Sequence, residues 1–413
     1  MKNKISPTLT LMALVINAFA IGSTEFISVG LMPLIVNSFH VSLAQAGLTV
    51  SLYAIGVTVG APLLTILTGK WNRKFLMMMI MSLFIIGNLF AAFAASFAML
   101  LIGRVISALA HGIFMSVSSV IAADVVQPHK RASAIAIMFT GLTVATVTGV
   151  PLGTFIGQQT NWHMTFIFIA AVGFIGLVAN LFLIPSGLPI PGSVDLRGIL
   201  RIFKNKFLVG SFLITALGYG GTFAAYTYLT PILQDKIGYS AHAVVILLVI
   251  YGLMVAIGNT IGGHYSNRQP LKALGVMFGL LVLSLLFLFL TILSGNKLVA
   301  TVATLVLGLF SFMNVPGLQF YVVQLAEGYT PKDITLASAF NISAFNIGIA
   351  FGSFVGGQVT KTVGVGYTPI FGAGIVLLAV FLVLKLIAEN KKIEQLSLTA
   401  QEMNPENSTS VTK

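Results

Sequence analysis

The stretch TLTLMALVINAFAIGSTEFISVGLMPL, residues 8–34, decides the fold. It holds one charged residue, Glu25, in a run long enough to cross a bilayer. A helix rises about 1.5 Å per residue, and the hydrocarbon core is ~30 Å thick. Lys2 and Lys4 precede the run, as they would in a secretory leader. It is too long for one, has no clear small-residue cleavage site, and is followed by eleven similar runs, so it reads as a retained helix. The other runs lie at about 45–68, 75–95, 98–123, 132–156, 164–184, 208–233, 243–264, 271–293, 298–325, 335–359 and 367–388.

Composition agrees. Of 413 residues, 57% are hydrophobic and 8% charged, whereas a soluble domain carries about 25% charge. So few charges cannot cover a water-facing surface, and so much apolar residue excludes disorder. The runs are not the short alternating strands of a barrel. The expected fold is therefore all-α integral membrane, with twelve transmembrane helices. There is no Cys, hence no disulfide or thiolate chemistry. No Walker loop, His-Glu-x-x-His zinc motif or intramembrane Asp pair occurs, so neither an enzyme nor an ATP-driven pump is expected, and no metal or organic cofactor. The formal charge of +12 is read as loop charge facing the cytoplasm and not as a nucleic-acid surface.

The basic residues set the expected orientation. With the N-terminus inside, 18 of the 22 Lys and Arg fall on the cytoplasmic side. Lys236, Lys297 and Lys361 lie outside, and Arg104 lies within a span. Both termini are expected in the cytoplasm of a multi-pass protein of the cell membrane. The longest polar connection, 185–207, has Pro185, Pro189, Pro191 and a basic stretch from Arg197 to Lys206. It divides residues 1–184 from 208–388, and a polar tail, 389–413, is read as mobile.

The two parts echo each other. Thr-Gly-Lys-Trp-Asn-Arg-Lys at 68–74 follows span 2, and Gly-Gly-His-Tyr-Ser-Asn-Arg at 262–268 follows span 8. Span 5 carries Gly149, Pro151, Gly153 and Gly157; span 11 carries Gly348, Gly352, Gly356 and Gly357. Internal repeats of this kind point to a transporter with its site between the halves.

Ionisable groups deep in lipid are costly, and they mark candidate sites. Glu25 and Arg104 both fall roughly 9–14 Å below the outer surface at 1.5 Å per residue. An ion pair is possible there, either permanent or switched when Glu25 takes a proton or a cationic substrate arrives. His111, two turns after Arg104, is either a proton relay or a neutral hydrogen-bonding residue. Asp124, at the cytoplasmic end of span 4, either contacts Lys70, Arg73 or Lys74 as an inner lock or is solvated beside His129, Lys130 and Arg131. Gly149, Pro151 and Gly153 are read as a bend that seals a helix interface during conformational exchange. In the second half Tyr219, Phe223 and Tyr226 share a helix face, and Asn314, Gln319 and Asn341 add amides. Together they suit a flat amphipathic ligand, or else simply pack the core.

These residues resemble a known family. Ser-Thr-Glu-Phe at 23–26 with Gly-Leu-Met-Pro at 30–33, Gly-Ala-Pro at 60–62, Arg104 with His111-Gly112, Gly-Val-Pro-Leu-Gly at 149–153, and Ala-Phe-Asn-Ile-Gly-Ile-Ala-Phe-Gly at 344–352 occur in order. The chain resembles the major facilitator superfamily over nearly all of 8–388. Within it the likeness is to the twelve-span drug:proton antiporters, nearest the arabinose-type, sugar and purine efflux permeases. The resemblance implies two six-helix bundles related by a pseudo-twofold axis, and export driven by the proton gradient. It gives Glu25 a part in proton coupling and Arg104 a part in coupling or substrate contact. Two departures stand out. The loop 2–3 Asp of the superfamily is missing near Gly69, and its loop 8–9 counterpart is Asn267, although Arg73 and Arg268 remain. Asp124 would then act with Arg73 or Lys70.

The expected function is proton-coupled efflux of small amphipathic compounds, including tetracycline-like or chloramphenicol-like antibiotics. The alternatives are export of a sugar or purine nucleoside, uncoupled facilitation, and a non-transporting receptor. The expected partners are a small-molecule substrate, protons and the lipid bilayer, with no nucleic acid, and the chain is expected to be a monomer.

Overall fold

The computed structural model describes residues 6–68, 70–127, 131–188, 196–266 and 269–403. Every regular element among them is helical. Twelve helices are long and apolar enough to cross a membrane: Pro7–Phe39, Leu43–Ala61, Arg73–Ala92, Phe97–Ala122, Ile137–Gln159, Trp162–Leu183, Lys206–Tyr226, Ala241–Ser266, Pro270–Ser294, Lys297–Tyr329, Leu336–Thr362 and Val365–Glu389. They are numbered as spans 1 to 12. Several begin at an Asn whose side chain accepts from backbone N–H groups that the helix itself cannot satisfy. Asn72, Asn161, Asn205 and Asn296 do this for spans 3, 6, 7 and 10.

Four features were not foreseen. Span 1 runs on past Pro33 to Phe39 and closes at His40 in the left-handed region. Span 7 ends at Tyr226, short of the expected 233, and continues through a turn, Leu229–Pro231, and a π-helical turn, Ile232–Lys236. Pro231 supplies no backbone N–H and its ring crowds the preceding turn, which favours a break there. The connection read as loop contains the amphipathic helix Leu196–Lys204. Its Ile202 is buried, and Arg201 forms a two-pronged ion pair with Asp333, both contacts at 2.8 Å. The last helix continues to Met403, into the stretch read as tail.

The spans form two six-helix bundles with matching internal pairings. In the first, span 1 packs on 5 and 6, span 4 on 2 and 3, and span 3 on 6. In the second, span 7 packs on 11 and 12, span 10 on 8 and 9, and span 9 on 12. Adding six to each number converts one set into the other. The bundles meet where span 2 packs on 11 and span 5 on 8, pairings that exchange under the same rule. Twelve crossings put both ends of the chain on one face, called here the terminal face; the other is the distal face.

Close backbone approach drives the internal pairings, as expected where lipid offers no hydrophobic gain. Gly141, Gly149, Gly153 and Gly157 of span 5 lie against Val15, Ser23, Ile27 and Leu31 of span 1. Gly348, Gly352 and Gly356 of span 11 lie against the carbonyls of Ala216, Gly220 and Ala224 of span 7. Polar side chains add short bonds inside the first bundle. Asn17 Nδ2 donates to Asn180 Oδ1 at 2.6 Å, and Thr24 Oγ1 to Asn88 Oδ1 at 3.1 Å.

The glycines differ testably. A Cβ on Gly352 would fall on the Gly220 carbonyl, while one on Gly279 of span 9 meets nothing within 4 Å. Gly352→Ala is expected to lower stability by about 1–3 kcal/mol through overpacking. Gly279→Ala is expected to be neutral or slightly stabilising. Thermal unfolding of the two purified proteins in the same detergent checks the contrast; equal midpoints would contradict it.

Candidate functional site

Arg104 of span 4 is completely buried. Its Nε donates to the Thr49 carbonyl at 3.1 Å, Nη1 to the Thr24 carbonyl, and Nη2 to the Glu25 carbonyl at 3.2 Å. The Tyr53 ring covers the guanidinium, 4.1 Å from its central carbon. One side chain thus ties together spans 1, 2 and 4. A carbonyl oxygen has two lone pairs, so a helical carbonyl already bonded within its helix still accepts an added donor.

The matched depth of Glu25 and Arg104 holds, but the ion pair does not. Arg104 takes the backbone of Glu25, and no salt bridge joins the two side chains. The Glu25 carboxylate has no hydrogen-bond or ion-pair partner among the described residues. Glu25 is 8% exposed. The next residue, Phe26, packs on Phe223, Tyr226 and Phe312 of the other half, so Glu25 stands at the meeting of the halves.

His111, 3% exposed, lies beyond Tyr53, with Tyr53 Oη 3.1 Å from His111 Nδ1. Arg104, Tyr53 and His111 make a row, with Tyr53 in the middle. Tyr53 escaped the sequence reading because one hydroxyl in an apolar run carries no periodic signal.

Across the seam is an aromatic cluster. Tyr219, Phe223 and Tyr226 of span 7 share one face, with ring centroids 5.0 and 5.5 Å apart in sequence. Phe312 packs edge-on to Tyr219 at 5.4 Å, Phe345 to Tyr219 at 5.0 Å, and Tyr251 stacks on Tyr226 at 5.2 Å. Phe26, the residue after Glu25, enters from the first half at 5.8 Å from Phe223, 6.3 Å from Tyr226 and 6.1 Å from Phe312. The sequence pointed to the three span 7 aromatics. It did not point to Phe26, Phe312, Phe345 or Tyr251, whose faces are set by packing.

The three amides divide. Gln319 and Asn341 come together, with Asn341 Nδ2 donating to Gln319 Oε1 at 2.8 Å. Their remaining groups bond Ser338 and Thr215, at 2.5 and 2.7 Å. The result is a closed chain joining spans 7, 10 and 11. Asn314 sits where span 10 breaks, between Lys297–Ser311 and Val315–Tyr329, two residues before Pro316. It is fully buried, and its Oδ1 has no partner. A broken helix with an unsatisfied carbonyl oxygen is a common element of transporter sites.

The residues expected to gate also separate. Asp124 meets Arg73, with Nη1 to Oδ2 at 3.3 Å, while Lys70 is exposed. The contact lacks hydrogen-bond alignment, and Arg73 Nε is buried without a partner. Arg268 lies outside the described residues. Gly149 and Gly153 face span 1, not the other half. The seam at span 5 is made instead by a π-helical turn, Ala145–Gly149, beside Pro151. Its Thr146 and Val147 backbone lies so close to Gly252 of span 8 that a Cβ there would meet it at 2.7–2.8 Å.

Comparison with known proteins places this arrangement. The model of the Major Facilitator Superfamily matches residues 14–330. The chain is 52% identical over 372 residues to the uncharacterized MFS-type transporter YtbD of Bacillus subtilis, covering 90% of this chain and 93% of that one. It is 30% identical over 360 residues to the putative transporter AraJ of Escherichia coli, covering 86% and 89%. Among solved structures, the human organic anion transporter MFSD10 superposes with a TM-score of 0.70 at 18% identity, covering 91% of this chain and 99% of that one. Matching bundles, a seam lined by groups from both, and these likenesses agree: the chain belongs to the Major Facilitator Superfamily of membrane transporters.

Proposed function

We propose that this transporter is a proton-coupled exporter of small amphipathic compounds, antibiotics among them, working by alternating access. The observation that carries the reading is the Glu25 carboxylate. It is buried beside an aromatic cluster with no partner of its own, at the seam where the halves separate. A carboxylate so little exposed and without a protein partner is favoured to take a proton or a ligand's donor. Proton and substrate then exclude each other at one group, which is the requirement for antiport.

Arg104 speaks against an anionic cargo, since each of its three nitrogens already donates to a backbone carbonyl. In this reading it is a strut that positions span 1, and His111 is held through Tyr53. The aromatic faces of Phe26, Tyr219, Phe223 and Tyr226 receive a flat apolar body, and Asn314 Oδ1 accepts a donor from it. Gln319 and Asn341 brace the second half. In this reading the terminal face, with its excess of basic residues, is the cytoplasmic side of the cell membrane. The halves 1–184 and 208–388 move as units about the seam, with the ion pair of Arg73 and Asp124 holding the inner end of the first.

Proteoliposomes with an imposed pH gradient test the coupling. Glu25→Gln cannot exchange a carboxyl proton and is expected to abolish the gradient-driven part of efflux, while leaving substrate counterflow measurable. Undiminished gradient-driven efflux would remove Glu25 as the proton carrier. A susceptibility panel with tetracycline and chloramphenicol, run beside efflux of labelled sugars and nucleosides, separates drug from metabolite cargo.

Arg104→Lys keeps the charge but reaches one carbonyl rather than three. A hydrogen bond to a charged group contributes about 1.5–3 kcal/mol, so the unfolding midpoint in detergent is expected to drop clearly. An unchanged midpoint would contradict the strut role.

A further inference from the structure

Where the two halves touch near the distal face, a single side chain fills the gap. Tyr228 lies in the turn that follows span 7 and is fully buried. It belongs to the second half, yet it packs within the hydrophobic cluster built mostly from the first. Its hydroxyl donates to the Ser353 carbonyl of span 11 at 2.9 Å, and the preceding Thr227 shares a 2.7 Å hydrogen bond with the Ser353 hydroxyl. Both bonds are within its own half.

The slot around the ring is made of missing side chains. A Cβ on Gly356 would stand 2.7 Å from the ring edge, and one on Gly357 would stand 2.8 Å from the hydroxyl oxygen. From the other half, Gly47 at the start of span 2 closes the slot. A Cβ there would fall on the Tyr228 hydroxyl oxygen and lie 2.9 Å from the carbon that bears it. Ala44 completes that wall, 3.4 Å from a Cβ built on Gly357.

We propose that Tyr228 is the distal gate of the transport cycle, a plug seated between Gly47 of the first half and Gly356 and Gly357 of the second. The asymmetry of its bonding gives the mechanism. Among the described residues Tyr228 is hydrogen-bonded only to the half that carries it, and it meets Gly47 by van der Waals contact. When the halves part at this face, no hydrogen bond breaks and no buried donor is left unpaired, a loss that would otherwise oppose opening. When they close, the phenol fills a slot that no other side chain occupies, and close packing excludes water. The proposal concerns the motion shared by transporters of this fold, and it depends neither on proton coupling nor on the identity of the cargo.

The chain contains no cysteine, so one introduced thiol reports on the seam. Val50 lies about one turn beyond Gly47, is 2% exposed, and packs in a cluster dominated by the second half. Val50→Cys in detergent-purified protein is expected to react slowly with a polar maleimide. Adding Gly47→Ala displaces the hydroxyl and is expected to speed labelling at least ten-fold. Adding Tyr228→Phe to that double variant removes the clashing oxygen, leaves a ring carbon 2.9 Å from the new Cβ for a small ring shift to relieve, and is expected to return the rate to within about three-fold of the Val50→Cys protein. Gel filtration confirms that each protein is folded. Parent-like labelling of the Gly47→Ala protein overturns the proposal, and so does a failure of Tyr228→Phe to slow it. If Gly47→Ala yields no folded protein, Tyr228→Ala in the Val50→Cys background decides: labelling at least ten-fold faster supports the plug, and an unchanged rate overturns it.

Discussion

A guanidinium buried in the hydrocarbon depth of a protein must find acceptors, and Arg104 finds them in the backbone. Much of the first half depends on that choice. Three carbonyls from spans 1 and 2 converge on one side chain of span 4, which fixes the rotation and depth of span 1. The bonding also decides what Glu25 is available for. Had Arg104 taken the carboxylate, the seam would hold a neutralised pair; instead the carboxylate remains unassigned where the halves meet. A buried charge satisfied by the main chain leaves the neighbouring acid free to change state.

The bundles share a packing plan but not a chemistry. Glycines of span 5 seat it on span 1, and glycines of span 11 seat it on span 7. Around the shared seam the first half supplies an acid, a buried Arg, a Tyr and a His. The second supplies aromatic faces and a buried amide whose oxygen has no partner where span 10 breaks. A pseudo-symmetric scaffold thus carries two unlike linings, one acidic and polar, the other aromatic, on either side of one seam.

The spans were legible because a bilayer imposes a length and an apolar content that a single chain displays openly. Glu25 and Arg104 were legible for the same reason: a charge in an apolar run has no inconspicuous explanation. Asp124 was legible as a charge at a span end, but Lys70, Arg73, Lys74 and solvent all stood as partners until packing chose Arg73. What escaped notice depends on the rotation of one helix against another. Nothing in the run around Tyr53 says that its ring lies over Arg104. Phe26 reads as another apolar residue until Phe223 and Phe312 are placed beside it. The span 5 glycines announced a close contact but not its partner, which proved to be span 1. The helix Leu196–Lys204 was hidden by the prolines before it, and the early end of span 7 by the apolar residues after Tyr226. Gly47 was invisible, since only Tyr228 gives its missing side chain a meaning.

The ion pairs Arg73–Asp124, Arg201–Asp333 and Lys206–Glu389 all sit on the terminal face, and each closes inside one half or between the connecting helix and the second half. Surface ion pairs weaken as electrolyte screens them, with a Debye length near 8 Å at physiological ionic strength. Raising salt therefore loosens the trim of each bundle, the exposed Lys206–Glu389 pair first, without touching a bond that spans the moving boundary. For these pairs, ionic strength acts on the rigidity of each bundle and leaves the seam between the bundles to its apolar contacts.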